Sequence, residues 1–177
     1  MFFTRSEYHS CPEINGVQQH DGSPYGSIQT IFEEWPNNEG IHFQTDIAHA
    51  YPSSANVKSW IRSLQFDRTS NTVQLDDRYQ LNKYISPQQL HFILNPKVEI
   101  EKNEQGFRLY QIDKKVNMFI QFEWQKFDTW KLENRSLDGD FRLERFWGDQ
   151  IIKRVTLITR AQNKDELQGH FTFLFKV

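Results

Sequence analysis

The sequence has little cysteine and no long apolar stretch, and each absence excludes a class of protein. Cys11 is the only cysteine among 177 residues, so an internal disulfide and a thiolate zinc cluster are both excluded. No apolar run approaches the ~20 residues that a membrane-spanning helix needs. Residues 1–7 also lack the basic region and the apolar stretch of a secretory signal. We therefore expect a chain without a membrane partner.

A surplus of positive charge is missing as well. The chain has 21 Lys and Arg against 23 Asp and Glu, which gives a formal net charge of −2. General nucleic-acid binding is not expected at this balance, because such proteins carry a basic surface. The sequence contains neither Gly-x-Ser-x-Gly nor Gly-x-Gly. A nucleophile elbow and a phosphate-cradling glycine loop are therefore excluded.

Aromatic residues are abundant, at 15% of the chain, although hydrophobic residues reach only 37%. A disordered chain or a coiled coil carries fewer rings than this. We expect a folded domain whose core is built largely of aromatic side chains. The length of 177 residues fits one domain, spanning 1–177.

Apolar residues recur at every second position in many short segments, which is the period of a half-buried strand. The clearest such face consists of Val116, Met118, Ile120, Phe122 and Trp124. Turn residues separate the segments at Asn15-Gly16, at 67–71, at 103–106 and at Asp138-Gly139. The pattern predicts an all-β fold, an antiparallel two-sheet β-sandwich of about a dozen strands.

One segment fits two structures. Ser86-Pro87 is a good helix start for residues 86–94, yet Leu90, Phe92 and Leu94 also alternate as in a strand. We favour the strand.

The histidines and acidic pairs give weak signals for a site. His42 and Asp46 lie roughly 13 Å apart along a strand, too far to share one metal ion, so we interpret His42 as a strand residue and Asp46 as a turn former. Asp76 and Asp77 point to opposite faces of a strand or sit in a turn, and we expect them to be solvated rather than to form an acid/base pair. Arginines interleaved with tryptophans could bind an acidic sugar chain, but we favour an ordinary sheet exterior, which carries such residues without any ligand.

Several motifs, in order along the chain, resemble those of heparinase II/III-like polysaccharide lyases. The first is Tyr8-His9-Ser10-Cys11-Pro12-Glu13-Ile14-Asn15-Gly16-Val17-Gln18-Gln19, which is similar to the family's His-Asn-x-Pro-x-Ile-Asn-Gly stretch with Ser10 in place of Asn. Residues 45–51 resemble the family's Asp-x-Thr-x-Ala-Tyr turn, and residues 60–66 with 73–77 resemble the hairpin that follows it. Residues 146–155 are similar to a late strand of the same domain.

The resemblance implies that this chain is the C-terminal β-sandwich of such a lyase, which eliminates across uronic acids, and that it lacks the family's N-terminal α/α toroid. The toroid of the parent enzyme carries the catalytic residues, so no residue here is assigned a catalytic role, and the chain is expected to be inactive alone. In zinc-bearing members the first-motif histidine is a metal ligand. His9 would be a single remnant ligand, expected to hold no metal because zinc sites use three or four protein ligands.

The implied partners are an acidic polysaccharide and the toroid, and the implied location is the periplasm or the extracellular space. The expected function is to pack on the toroid and line its glycan cleft. The alternative is a stand-alone carbohydrate-binding module, whose sugar platform would use Trp35, Trp130 and Trp147. We also expect Phe2, Phe3, Tyr8 and Tyr25 on the face that the toroid would cover.

Overall fold

Alternating apolar and polar residues produce twelve strands in the part of the chain that the structure describes. The computed structural model describes residues 5–111, 116–136, 145, 151–161 and 165–177. The strands are β1 Pro12–Glu13, β2 Ile28–Glu34, β3 Gly40–Asp46, β4 Val57–Asp67, β5 Thr72–Leu81, β6 Gln89–Leu94, β7 Glu99–Asn103, β8 Gly106–Gln111, β9 Val116–Gln121, β10 Phe127–Ser136, β11 Ile151–Thr159 and β12 Gln168–Lys176. Strand β6 confirms that residues 86–94 contain a strand rather than a helix.

The strands form two antiparallel sheets, as the sequence predicts. The larger sheet has eight strands in the order β2-β3-β4-β5-β12-β9-β8-β7, and the smaller has four in the order β1-β6-β11-β10. The architecture is all-β and consistent with the predicted sandwich. In the described part of the chain no helix has the length and apolar character to cross a membrane.

The core lies between the sheets and is rich in rings. Trp60, Phe107 and Phe173 are completely buried or nearly so. Trp60 stacks on Tyr79 with ring centroids 4.8 Å apart, and Phe122 packs against Phe173 at 5.5 Å. Each such side chain contributes roughly 1.5–3 kcal/mol by leaving water, which explains how a chain of modest hydrophobic content folds.

The register of the large sheet decides which residues point inward. Arg62 lies opposite Asp77, and Leu64 lies opposite both Phe43 and Leu75. These positions face the small sheet, whereas Ser63, opposite Asp76, faces outward because successive side chains of a strand alternate. Asp76 and Asp77 therefore point to opposite faces, one of the two expected arrangements. The expectation that they are solvated is wrong, since they are 7% and 0% exposed.

Two predicted features differ from the structure or lie beyond its described part. Strand β9 ends at Gln121, and Trp124 begins a 3₁₀ turn, Trp124–Lys126, instead of extending the strand. The indole still packs on the core, with its ring 5.3 Å from that of Phe107, so only its backbone was mispredicted. The turn at Asp138-Gly139 lies outside the described residues.

Candidate functional site

The first-motif segment, residues 8–19, joins the edge of the small sheet. Pro12–Glu13 pairs with β6 as strand β1, and Ile14 bridges Val17 around the tight turn Asn15-Gly16. Asn15 and Gly16 both have positive φ angles, 54° and 78°, which asparagine and glycine tolerate best. The Asn-Gly pair of the motif is thus explained by the turn.

The Asn15 side chain links three separate segments. Its Nδ2 donates to the carbonyl oxygens of Ala55 at 2.7 Å and Lys83 at 2.9 Å, and its Oδ1 accepts from the backbone N–H of Ile85 at 2.9 Å. Gln88 adds a further bond, since its Oε1 accepts from the Asn15 backbone N–H at 2.9 Å. Asn15 and Gln88 are both buried. These contacts assign the motif asparagine a structural role.

A buried ion pair fixes the start of the same segment. The Arg62 guanidinium donates from Nε to Asp77 Oδ1 at 2.8 Å and from Nη2 to Asp77 Oδ2 at 2.7 Å. Its Nη1 donates to the carbonyl oxygen of Ser10 at 2.8 Å. Desolvation by burial lowers the pKa of Arg62, but the charge and the hydrogen bonds of the fully buried Asp77 outweigh it and raise the pKa, so the guanidinium stays protonated. The pair therefore positions Ser10 and the adjacent His9.

Tyr8 and His9 have different surroundings. Tyr8 is only 8% exposed, and the Arg154 guanidinium lies over its ring at 4.8 Å. Arg154 also bonds Glu7 and Glu133. The expectation that Tyr8 lies on an exposed face is therefore wrong. Its ring is covered by Arg154 of β11, which is itself paired with Glu133 of β10. Tyr25 is half-buried against His20, with ring centroids 4.7 Å apart, and Phe2 and Phe3 lie outside the described residues.

His9 is exposed at the rim of an apolar cavity between the sheets. Among the described residues, no group of three His, Cys, Asp or Glu side chains is placed to hold a metal ion. The described surroundings of His9 therefore do not fit a zinc site, which needs three or four such ligands. The expected lack of a cofactor stays a prediction.

The cavity has a volume of about 550 Å³ and opens between β4, β5 and β12 of the large sheet and β6 of the small sheet. Its apolar wall includes Leu64, Val73, Phe92 and Phe175. Arg62, Ser10 and His9 form its polar rim. The residues of the first motif thus border an apolar opening in the sandwich.

The apolar wall continues beyond the cavity onto strands β3 and β2. Leu64 pairs with Phe43, and Phe43 pairs with Phe32, so the three side chains share the inner face of the large sheet. Phe32 is 60% exposed and Leu64 is 36% exposed. Among the described residues the small sheet has four strands against the eight of the large sheet, so it is too narrow to cover this part. We call Phe32, Phe43 and Leu64 the uncovered inner face.

The two described tryptophans of the predicted sugar platform lie in different parts of the fold. Trp35 follows β2 and its ring packs on the backbone of Gly40, where an added Cβ would come within 2.4 Å of the indole. Trp130 lies on β10 and packs against Phe107, with ring centroids 5.0 Å apart. Trp147 lies outside the described residues. Sugar binding by these residues stays a prediction.

The remaining sequence candidates behave as interpreted. Asp46 Oδ1 accepts from the backbone N–H groups of Ala48 at 2.9 Å and Trp60 at 3.0 Å, which makes it the turn former at the end of β3. His42 lies on the outer face of β3 and contacts Glu33 and Ser63. The sequence analysis did not identify Phe32. Its strand β2 is exposed along its length, and Phe32 directly follows the apolar Ile31, so no period-two alternation marks it.

No protein-family model matches the chain, and no curated protein matches it in sequence.

Proposed function

We propose that the chain is the β-sandwich module of a heparinase II/III-like polysaccharide lyase, and that it packs on the catalytic toroid to complete one wall of the glycan cleft. The observation that carries this proposal is the uncovered inner face. The proposal places the protein in the periplasm or outside the cell, where such glycans occur.

Apolar surface that stays in contact with water is unfavourable in free energy. Sandwich sheets bury their inner faces against each other, so a Phe ring that is 60% exposed on an inner face lacks the cover that this architecture normally supplies. Phe32, Phe43 and Leu64 form one continuous strip by register, which marks an interaction surface more strongly than scattered residues would. A second domain of the same protein would bury it.

The position of the first motif supports the same partner. His9 and Ser10, in the stretch that carries the family resemblance, lie at the rim of the cavity that continues into this strip. Two other residues of the motif have structural roles. The Asn15 side chain hydrogen-bonds to neighbouring loops, and the Tyr8 ring is covered by Arg154. Packing against a second domain needs no catalytic group from the motif. β-Elimination, by contrast, needs a base, an acid and a carboxylate neutraliser around one substrate pose.

The test is association with a separately expressed toroid of a heparinase II/III-like lyase, followed by size-exclusion chromatography. We expect the full chain to co-elute with the toroid and to increase its release of unsaturated uronides. Phe32→Asp should abolish co-elution because it places a charge on the uncovered inner face.

Phe119→Asp is the matched control. Phe119 is 39% exposed but lies on the outer face of β9, where it pairs with Arg108. This variant should co-elute like the unmodified chain. Failure of the unmodified chain to bind any toroid tested, or equal binding by Phe32→Asp, would contradict the proposal.

A further inference from the structure

The apolar cavity between the two sheets is deep, which distinguishes it from the uncovered inner face beside it. Leu64 at its mouth is 36% exposed, whereas Leu75, Leu109 and Ile120 in its lining are only 7%, 6% and 3% exposed. The cavity therefore runs from the surface down to side chains of the core. A flat protein surface would close the mouth without reaching this depth, but a narrow molecule can fill it.

The size and the lining of the cavity indicate what kind of molecule fits. Its volume of about 550 Å³ lies within the range of about 300–1,000 Å³ that small-molecule sites occupy. The large sheet contributes Val73, Met118 and Phe175, and the small sheet contributes Phe92 and Leu94. An alkyl chain between these walls is removed from water on both sides, which is favourable for every methylene. The volume suits one such chain rather than the two chains of a phospholipid.

The polar rim of the cavity favours an anionic head group. Among the described residues, the ionisable side chains that line the cavity are Arg62 and His9, and no carboxylate is among them. A guanidinium has more N–H donors than the three that Arg62 uses on Asp77 and on the Ser10 carbonyl oxygen, so donors remain for a ligand. Asp77 compensates the charge of Arg62, but it is fully buried and does not line the cavity. A ligand at the rim therefore meets the donors and not the carboxylate.

The ion pair with Asp77 also holds the guanidinium in place before any ligand arrives. The Arg62 side chain is 17% exposed, and its bonds to Asp77 measure 2.8 Å and 2.7 Å. A donor that is already positioned loses little conformational entropy when it binds a ligand, which favours affinity.

We propose that this cavity binds a free single-chain fatty acid, with the alkyl chain between the sheets and the carboxylate at the rim, where it accepts hydrogen bonds from Arg62. The proposal follows from a deep apolar interior that has cationic donors and no acidic side chain at its entrance. The site goes beyond the packing function, because no residue of a toroid contributes to it.

The first experiment is isothermal titration calorimetry of the full chain with decanoate and octanoate, both below the concentrations at which they form micelles. We expect decanoate to bind. Octanoate should bind roughly fifteenfold more weakly, because each buried methylene contributes about 0.8 kcal/mol. No binding of decanoate at millimolar concentration, or equal affinities for the two chain lengths, would overturn the proposal.

Decylammonium tests the head group, since it has an alkyl chain like that of decanoate but carries a positive charge. We expect it to bind at least about tenfold more weakly than decanoate, because the rim offers donors and cations. The net charge of the whole chain is −2, so general attraction to the protein surface would favour the ammonium instead. Equal or tighter binding of decylammonium would contradict the proposed orientation at Arg62.

Met118→Trp fills the cavity from strand β9 and should weaken decanoate binding by at least about tenfold. Phe119→Trp is the matched control, because the next residue of the same strand lies on the outer face and is already 39% exposed. It should bind decanoate like the unmodified chain. Leu64→Trp narrows the mouth at a partly exposed position and should also weaken binding, which keeps the test valid if Met118→Trp does not fold. Unchanged affinity in Leu64→Trp or in a folded Met118→Trp would overturn the proposal.

Phe32→Asp separates the cavity from the uncovered inner face. Phe32 does not line the cavity, so this variant should bind decanoate like the unmodified chain. Loss of binding in Phe32→Asp would place the alkyl chain on the exposed strip and overturn the cavity as the site. No toroid is present in these titrations, so their outcome is independent of whether the packing proposal holds.

Discussion

Three polar side chains, Asn15, Arg62 and Arg154, connect the first-motif segment to distant parts of the chain. Asn15 reaches the loops before β4 and after β5, Arg62 holds Ser10, and Arg154 on β11 holds Glu7. Their partners are up to 147 residues away in sequence. Buried groups of this kind contribute to stability mainly through the cost of leaving their partners unpaired.

Asn15→Gly should lower the free energy of unfolding by about 2–4 kcal/mol, because several buried backbone groups lose their partner. Glycine keeps the positive φ of 54°, so backbone strain does not contribute. Urea unfolding followed by tryptophan fluorescence measures the change. Asn71→Gly is the control: Asn71 has a φ of 52° and is exposed, so its substitution should cost less than about 0.5 kcal/mol.

His91 should make the folded state sensitive to mild acid. Desolvation and the nearby Arg154 charge lower its pKa from 6.5 to about 4, although Glu7 and Glu133 oppose this. Between these values the unfolded chain binds a proton that the folded chain does not. Stability is therefore fully present above pH 6.5 and lost as the pH falls to about 4, by about 3 kcal/mol.

Urea unfolding at pH 4.5, 5.5 and 7 of the unmodified chain and of His91→Gln tests this. The variant should show a shallower fall in stability across the range. His49→Gln, at an exposed position, should keep the original pH dependence. An unchanged slope in His91→Gln would show that other groups cause the acid sensitivity.

The sequence predicts residue environments well where the surroundings are local. Ile120 was expected on the buried face of a strand and is 3% exposed, and Asp46 was expected in a turn and forms one. Tyr8 was mispredicted because its cover comes from Arg154, far along the chain.

At the scale of elements, the start of β8 depends on a glycine. Gly106 has a φ of 146°, and a Cβ at this position would lie 1.9 Å from the carbonyl oxygen of Ile120 on β9. The close approach of the two backbones sets the register in which Phe107 pairs with Ile120, and both side chains then enter the core.

Gly106→Ala should therefore destabilise the protein by at least about 2 kcal/mol, from backbone strain and a clash with a neighbouring strand. Thermal unfolding followed by circular dichroism at the strand band measures the loss. Gly26→Ala is the control, because an added Cβ there meets no atom within 4 Å. Equal melting temperatures for the two variants would contradict this account of β8.

The sequence indicates that the elements are strands but not the order in which they pair. Alternation and turn residues identify strands such as β3, β4 and β6, because period-two burial is a local property. Nothing local indicates that β12 pairs with both β5 and β9. The candidate site depends on that order, so its geometry required the structure.

At the scale of the whole molecule, the unequal size of the two sheets governs surface behaviour. Four strands leave part of an eight-stranded sheet bare, and Phe32, Phe43 and Leu64 are the result. An isolated chain with such a strip should self-associate as its concentration rises.

Phe32→Ser should reduce this self-association, as measured by sedimentation velocity over a range of concentrations. The same substitution should change the free energy of unfolding by less than about 1 kcal/mol, because the ring is already 60% exposed. Phe119→Ser, on the opposite face of the large sheet, should leave the association intact. A chain that stays monomeric without any substitution would show that the strip alone does not drive contacts between copies.

The central place of β12 has a consequence for how the protein is made. Strands β2 to β5 form one half of the large sheet and β7 to β9 form the other, and β12, the last of the twelve to be synthesised, is the strand that joins them. A ribosome must therefore have translated as far as Lys176 before the two halves can close. Until then each half carries an unpaired strand edge, so we expect chaperones that hold unfolded chains to bind the nascent chain.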